Sequence, residues 1–539
     1  MPSASGLAAR RRQRALVFIL AVASASSAAG QSITEALRLR VERLHDGGAS
    51  SIRGARLIRR DVVAHFFQQR GFEPVWRIPV ASDQIRRAIV EIDLDGLNPT
   101  DYHLAAIDTL LAAGTTRSAA DEADLQVLLT DAVAALADHV RYGKVRPVTL
   151  DRRWNVDPRE SAPRLEAHIA RIAGASSLVD AIAARKPDHF IYRGLKQALA
   201  RLRAIETAGG WPAVAPGPTL KPGAADPRIA QVRARLVASG ESAKSRDQVY
   251  DAALEEAVKR FQDHHRLTAD GAIGRATVDA MNVTVRGRIE QVRANLERAR
   301  WVLGGLQDTF LLVNLPAFKV YYIREGKNVW ESRTQIGREA RQTPTFRADL
   351  RYLVFNPDWT VPPTILAKDV LGGMKKGENT IEKKGLTILD REGRAVDPES
   401  IDWQAATPRN FPYTLRQPPG PNNALGRVKF IFPNEHAIFL HDTPSRELFR
   451  ADTRTFSSGC IRVERPLELA AALLQRQDWA PEKIEQAIAS GRSETIPLER
   501  AVPVLIVYWT VSVGASGDLR FARDVYTRDP PLIRALNAR

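Results

Sequence analysis

The sequence predicts a multi-domain α+β protein in which a helical first half and a compact three-helix unit precede a mainly β domain with a long insertion. Three observations predict it. The chain has 539 residues, more than one hydrophobic core fills, so about two to four domains are expected. Apolar residues recur at three- and four-residue spacing through the first 208 residues. From about residue 308 the texture changes to β-branched and aromatic runs between turn signals.

Taken in order, Arg10, Arg11, Arg12 and Arg14 precede an apolar run from Ala15 to Ala23, followed by small residues through Ser27, Ala28, Ala29 and Gly30. That is the order of a secretory signal peptide, assigned to residues 1–30. The run is shorter than the about 20 residues that span a bilayer. Retention as a short N-terminal anchor, with peripheral association at the inner membrane, is the other reading, and both export the rest of the chain. Residues 31–208 read as helical, with Asp121–His139 and Arg164–Ala184 as the clearest stretches. Gly209-Gly-Trp-Pro and the Pro and Gly residues through Gly223 give 209–223 the composition of a linker. Residues 224–284 form a compact unit. A short helix carries Ile229, Val232 and Leu236, and a second spans Asp251–His265 with Leu254, Ala257, Val258 and Phe261 on one face. The turn Asp270-Gly271-Ala-Ile-Gly274 follows, and a third helix runs from Arg275 to Met281. Residues 305–530 are mainly β, with strands expected at Phe310, Lys319, Leu350, Val428, Ala437–Leu440 and Val502 onward. An insertion at about 367–426 is long enough to be a lid or binding element.

Composition narrows the function. The net charge of +16 points to an anionic partner, but the Lys and Arg residues are spread and form no dense block beyond the N-terminus. Nucleic acid is therefore not expected. One cysteine, Cys460, stands in a chain expected in an oxidising compartment. It has no internal disulfide partner, so it is either a small buried hydrophobe or a reactive thiol.

Its neighbours favour reactivity. Cys460 follows Ser457, Ser458 and Gly459, and His441-Asp442 lies upstream after the apolar run ending Phe439-Leu440. A thiol near pKa 8.5 needs a base to become a nucleophile, and His441 supplies one if the chain folds back. The small residues admit substrate, the Gly459 and Cys460 N–H groups suit an oxyanion, and Asp442 or its carbonyl suits orienting the imidazole. With ten histidines in the chain, pairing alone does not decide the matter.

The pattern resembles a known signature. His441, a spacer of fifteen residues, then Ser457-Ser458-Gly459-Cys460-Ile461-Arg462 is similar to that of the L,D-transpeptidases, in particular the large Gram-negative branch. Ser458 stands where the signature has a histidine, so no role of that second histidine is carried over. Val313-Asn-Leu-Pro, Gly337 with Arg341-Gln-Thr-Pro, Asn356-Pro-Asp-Trp359 and Pro421-Asn-Asn-Ala-Leu-Gly-Arg resemble the same catalytic domain. Ala257-Val-Lys-Arg-Phe261-Gln and Asp270-Gly271-Ala-Ile-Gly274 resemble a three-helix peptidoglycan-binding module, although Phe261 also reads as core and the other three as turn. Trp76, the stretch Gly96–His103 and Gly143-Lys-Val-Arg-Pro resemble the scaffold domain of these enzymes.

The resemblance implies a periplasmic cysteine acyltransferase that links peptidoglycan stem peptides 3–3, with Cys460 as nucleophile and His441 as base. Donor and acceptor stems are its partners, the insertion is a capping subdomain, and carbapenems are expected to acylate the thiol. It implies no metal and no cofactor, and names no protein partner. Arg462, Ser457, Ser458, Phe439, Trp359 and Asn356 are expected to contact substrate. Lys375-Lys376 and Lys383-Lys384 read as a solvated face that attracts carboxylates if the insertion caps the groove. His436 reads as a turn residue, and adjacent His264-His265 lack the ligand set of a zinc site. An L,D-endopeptidase, a lipoprotein-to-peptidoglycan transferase and a non-catalytic wall-binding protein remain open at this point.

Overall fold

The computed structural model describes residues 32–45, 50–156, 159, 161–241, 248–514 and 517–538. The signal segment assigned to residues 1–30 lies outside the described residues. Among the described residues no helix is long and apolar enough to cross a membrane. The chain divides into two compact units, Met1–Tyr142 with Arg159–Lys186 and Arg539, and Gly143–Pro158 with Pro187–Ala538.

In the first unit helices gather around Ala119–Tyr142, which is buried almost throughout. Its polar residues are buried because each meets a partner, as a close-packed interior requires. Asp131 accepts from Ile58 N, Arg59 N and His103 Nε2 at 2.6–2.7 Å. Gln126 accepts from Val75 N and Trp76 N, and the Trp76 indole donates to Thr130 Oγ1 at 2.9 Å. A short hairpin, β1 (Ser51–Ile52) and β2 (Ala55–Arg56), leads into this network. The helix expected over Arg164–Ala184 is two, Ala162–Ala173 and Leu178–Ala183. Gly174 closes the first, and Ser177 caps the second by accepting from Asp180 N.

Helix Phe190–Thr207, grouped by sequence with the N-terminal region, packs in the second unit against helix Val285–Leu303, where Arg300 Nε donates to Tyr192 Oη. Helices Arg228–Ser239, Ala252–His264 and Arg275–Met281 share a core of Ile229, Val232, Leu236, Leu254, Val258, Phe261 and Met281. Asp251 caps the middle helix by accepting from Leu254 N at 2.8 Å.

The rest of this unit is built on one nine-stranded sheet. Its strands are β3 (Phe310–Asn314), β4 (Lys319–Arg324), β5 (Lys327–Gly337), β6 (Phe346–Phe355), β10 (Val428–Ile431), β11 (Leu440–His441), β12 (Thr455–Ser457), β13 (Ile461–Val463) and β14 (Glu494–Val507). The order is β12-β5-β13-β11-β10-β6-β14-β3-β4, and β4 also pairs with β5, so the sheet returns on itself. Val320, Phe346, Leu350, Leu353, Phe430, Leu440 and Ile461 fill its core. The insertion has its own sheet, β7 (Trp359–Thr360), β9 (Thr414–Gln417) and β8 (Thr387–Leu389), and its own core of Val361, Val370, Ile381, Ile388 and Leu415. A final hairpin pairs β15 (Val511–Val513) with β16 (Leu519–Phe521).

One expected strand is largely a turn. Only Leu440 and His441 of the run from Ala437 are extended in the sheet, and Ala437 takes a left-handed φ of 52°. Asn434 holds the turn, since its side chain accepts from His436 N and Ile438 N and donates to Phe432 O and Ile438 O.

Candidate active site

β11 and β13 are parallel neighbours, with Leu440 opposite Ile461 and His441 opposite Arg462. The Ile461 N–H donates to Phe439 O at 3.1 Å, which extends the alignment to Cys460 beside Phe439. Side chains alternate across a strand, so Phe439, His441, Cys460 and Arg462 fall on one face and Leu440, Ile461 and Val463 on the other. Burial follows that division. The latter three are in the sheet core, and the former four line one cleft of about 570 Å³.

His441 is buried, and its Nδ1–H donates to the carbonyl of Asp442 at 2.5 Å. That bond leaves Nε2 as the basic nitrogen. The Asp442 carboxylate takes no part, since it accepts from Arg427 N, Arg427 Nε and Arg446 Nη1. Of the two alternatives read from sequence, the carbonyl orients the ring.

The nucleophile's loop is held from several sides. Ser457 Oγ donates to Cys460 O at 2.5 Å and accepts from Gly459 N at 3.1 Å. Gly459 has a φ of 126°, a conformation open to glycine, and its carbonyl accepts from Thr343 Oγ1 at 2.7 Å. Thr343 Oγ1 in turn accepts from Gly337 N, and the Tyr526 hydroxyl donates to Gly337 O. The expectation for two oxyanion donors needs correction. The Gly459 N–H is taken by Ser457, while the Cys460 N–H makes no hydrogen bond among the described residues.

Both reacting groups rest neutral. Burial first, then the Arg462 guanidinium, lowers His441 to about 3 against the backbone bond to Asp442. Burial pushes the Cys460 thiol up to about 11, against a backbone hydrogen bond from Phe439 and the charge of Arg462. The sulfur lies 3.8 Å from Ala437 O. Arg462 itself is anchored by Nη1 to Gln335 Oε1 at 3.2 Å, and its Nε is buried without a partner among the described residues. Arg338, Lys383, Lys384 and Arg462 make the cleft wall cationic against Asp369 and Glu382. The arrangement suits a thiol that gives its proton to a neutral imidazole as it attacks an electrophile carrying negative charge.

The other expected site residues separate. Trp359, Ser457 and Ser458 line the same cleft, and so does His436, whose ring stands edge-on to Phe346 at 4.9 Å. Asn356 does not. Its φ of 46° turns the side chain away, and Nδ2 donates to the carbonyls of Ala487, Ile488 and Arg492, closing the end of a helix. Phe261 is core, and Asp270 and Gly271 form a turn held by Gln262, which donates to Asp270 Oδ1 and accepts from Gly271 N. Gly274 precedes helix Arg275–Met281. These four build the three-helix unit. Thr343 sits inside the quoted stretch Arg341-Gln-Thr-Pro, whereas Tyr526 and Gln335 carry no sequence signal. Among the described residues no group of three or more His, Cys, Asp or Glu is placed to hold a metal. A second cavity of about 230 Å³, lined by Trp154, Trp301, Tyr508 and Trp509, contains none of the cleft residues.

Comparison with known proteins places three regions. Residues 61–199 match a family described as "Scaffold domain", residues 225–281 one described as "Putative peptidoglycan binding domain", and residues 308–485 one described as "L,D-transpeptidase catalytic domain". A curated protein of Haemophilus influenzae, described as "Putative L,D-transpeptidase", is 38% identical over 219 residues, which is 41% of this chain and 44% of the relative. The chain thus spans less than half the length of that relative. Among solved structures, an L,D-transpeptidase from Xylanimonas cellulosilytica is 13% identical, with 54% of this chain and all (100%) of that chain covered at a TM-score of 0.18. One from Stackebrandtia nassauensis is 10% identical, with 55% and 96% covered at 0.21. Superpositions at these scores add nothing to the assignment, which rests on the sequence matches.

Proposed function

From a chain that carries an L,D-transpeptidase catalytic domain beside a peptidoglycan-binding domain, we propose an acyltransferase that forms 3–3 cross-links in peptidoglycan through a Cys460 thioester. The observation that supports it most is His441, held by the Asp442 carbonyl so that its basic Nε2 belongs to the cleft that Cys460 lines. The donor is a stem peptide whose third residue, a diamino acid, is linked to D-alanine. As Cys460 Sγ attacks the carbonyl carbon of that residue, its proton passes to His441 Nε2. The oxyanion is held by the Cys460 N–H. The C–N bond then breaks, His441 returns the proton to the departing D-alanine amine, and a thioester remains. The side-chain amine of a second stem attacks that carbonyl and gives its proton to His441, and the amide forms as the thiolate leaves and is reprotonated.

Arg462 is suited to a substrate carboxylate, since it lines the cleft and its Nε has no partner among the described residues. Trp359 and Phe439 give the cleft apolar walls against the stem. A periplasmic location follows from this substrate, with residues 1–30 as the export signal. The test is intact-protein mass spectrometry with a carbapenem beside Cys460→Ala, followed by muropeptide donor and acceptor. One adduct absent from the variant, and a 3–3 linked product, are expected. A folded protein that forms no adduct and no product refutes the proposal.

A further inference from the structure

A charged contact links the insertion to the nucleophile's loop through Arg341. Arg341, just after β5, donates from Nη1 to Asp369 Oδ2 at 2.6 Å and from Nη2 to Asp369 Oδ1 at 2.7 Å. Nη1 also donates to Ser458 Oγ at 2.8 Å. Asp369 belongs to the insertion, on a π-helical turn spanning Leu366–Val370. Such turns interrupt regular hydrogen bonding and recur at functional sites. The Asp369 side chain is 29% exposed and lines the cleft, whereas that of Arg341 is 12% exposed. A forked, parallel pair of bonds is the arrangement in which a guanidinium recognises any carboxylate.

The fork lies where a donor would need it. Ser458 is two residues from Cys460, a span of at most about 7 Å. In the transpeptidase reading, on which this inference rests, the leaving residue carries a free α-carboxylate. Its carbon lies within about 4 Å of the carbonyl under attack. We infer that Arg341 is the seat for the donor's terminal carboxylate, and that Asp369 fills the seat until the donor displaces it. The displaced aspartate stays among cations, since Arg338 and Lys384 line the same cleft. Release of Asp369 also breaks the charged link between the Leu366–Val370 turn and the nucleophile's loop, so entry of a carboxylate is coupled to the insertion. Arg341 is a specificity residue in this scheme. A donor lacking the carboxylate has nothing to exchange for Asp369.

The test uses the full chain, whose single cysteine makes every thiol-alkylation event report on Cys460. Iodoacetate carries a carboxylate and iodoacetamide is its neutral counterpart, so the ratio of their rates reads the seat apart from general access. Asp369→Asn is expected to raise that ratio about tenfold, and Arg341→Gln to lower it by a similar factor. Arg341→Lys, which keeps the charge and loses the fork, is expected in between. A merely structural pair would change the ratio only through the local field and would leave Arg341→Lys, which keeps the charge, at the native ratio. A ratio unchanged in Asp369→Asn, or parallel changes in both rates, overturns the inference, and Asp369→Asn retains an isosteric side chain should Arg341→Gln not fold. Tetrapeptide donors ending in acid or amide separate the two proposals. If the alkylation ratio shifts and neither donor acylates Cys460, the seat stands and the transpeptidase reading falls. If both donors acylate equally and the ratio is unmoved, the seat falls and that reading stands.

Discussion

His441 and Cys460 share a cleft that disfavours charge on either, and this has consequences for the residues themselves. A histidine lowered to about 3 from an ordinary value of about 6.5 binds fewer protons folded than unfolded. Stability therefore rises with pH between those two values. The contribution is fully present above about 6.5 and is lost as the pH falls toward 3. Unfolding free energies measured by denaturant between pH 4 and 7 should show this slope in the native protein and a weaker one in His441→Gln. Equal slopes would mean that the imidazole is solvated. At this scale the sequence was most legible. Cys460 is the sole thiol and His441 stands at the end of an apolar run, but among ten histidines it was the resemblance to the L,D-transpeptidase signature that paired them. The resting neutrality could not, because it comes from burial, reinforced for the imidazole alone by Arg462 across a parallel strand pair.

At the scale of elements, the support of the imidazole passes through backbone. Gly426, just before β10, has a φ of 62°, and a Cβ there would lie 2.5 Å from Cβ of Asp442. Gly426→Ala should cost about 1–3 kcal/mol and displace the carbonyl that holds His441. We expect a lower melting temperature together with at least about tenfold slower acylation of Cys460 by a carbapenem, beyond what a remote variant of equal stability shows. The main strands that were legible are those that β-branched and aromatic residues mark, as in Phe310–Asn314 and the part of Glu494–Val507 from Val502 onward. The turn at Ala437 was not, since apolar residues continue through it and the determinant is the Asn434 side chain. Helix Val285–Leu303 also escaped the sequence reading. Thr284 caps it, but Arg288, Arg293, Glu297, Arg298 and Arg300 are buried along it and mask the apolar face. Its polar side chains are paired within the fold, as Arg300 with Glu297 and Arg298 with Asp529.

For the molecule as a whole, the succession of helical region, three-helix unit and mainly β domain was legible in the sequence, whereas the grouping of helix Phe190–Thr207 with the second unit was not, because a helix does not announce its partner. Phe261 is fully buried in the three-helix unit. Phe261→Ala should cost about 3–5 kcal/mol there, read as early loss of protection in amide exchange over residues 228–281. The three-helix core and the core beside Cys460 are separate clusters, so the carbapenem adduct at Cys460 should persist. The net charge of +16 adds a long-range attraction to an anionic wall polymer. Retention on isolated sacculi should fall steeply from low to about 0.5 M salt, where the screening length is a few ångströms, while acylation by a small neutral reagent should not change.

The insertion's two ends have a consequence of another kind. β7 and β9 pair, with Trp359 opposite Gln417 and Thr360 opposite Arg416, so the chain leaves the main sheet and comes back at neighbouring points. A segment whose ends already meet can grow, shrink or be exchanged with little added cost of loop closure. His441 and Cys460 lie outside it. Descent with variation can therefore rewrite what covers the thiol without rewriting the thiol, and donor preference becomes a trait that can be inherited separately from the chemistry.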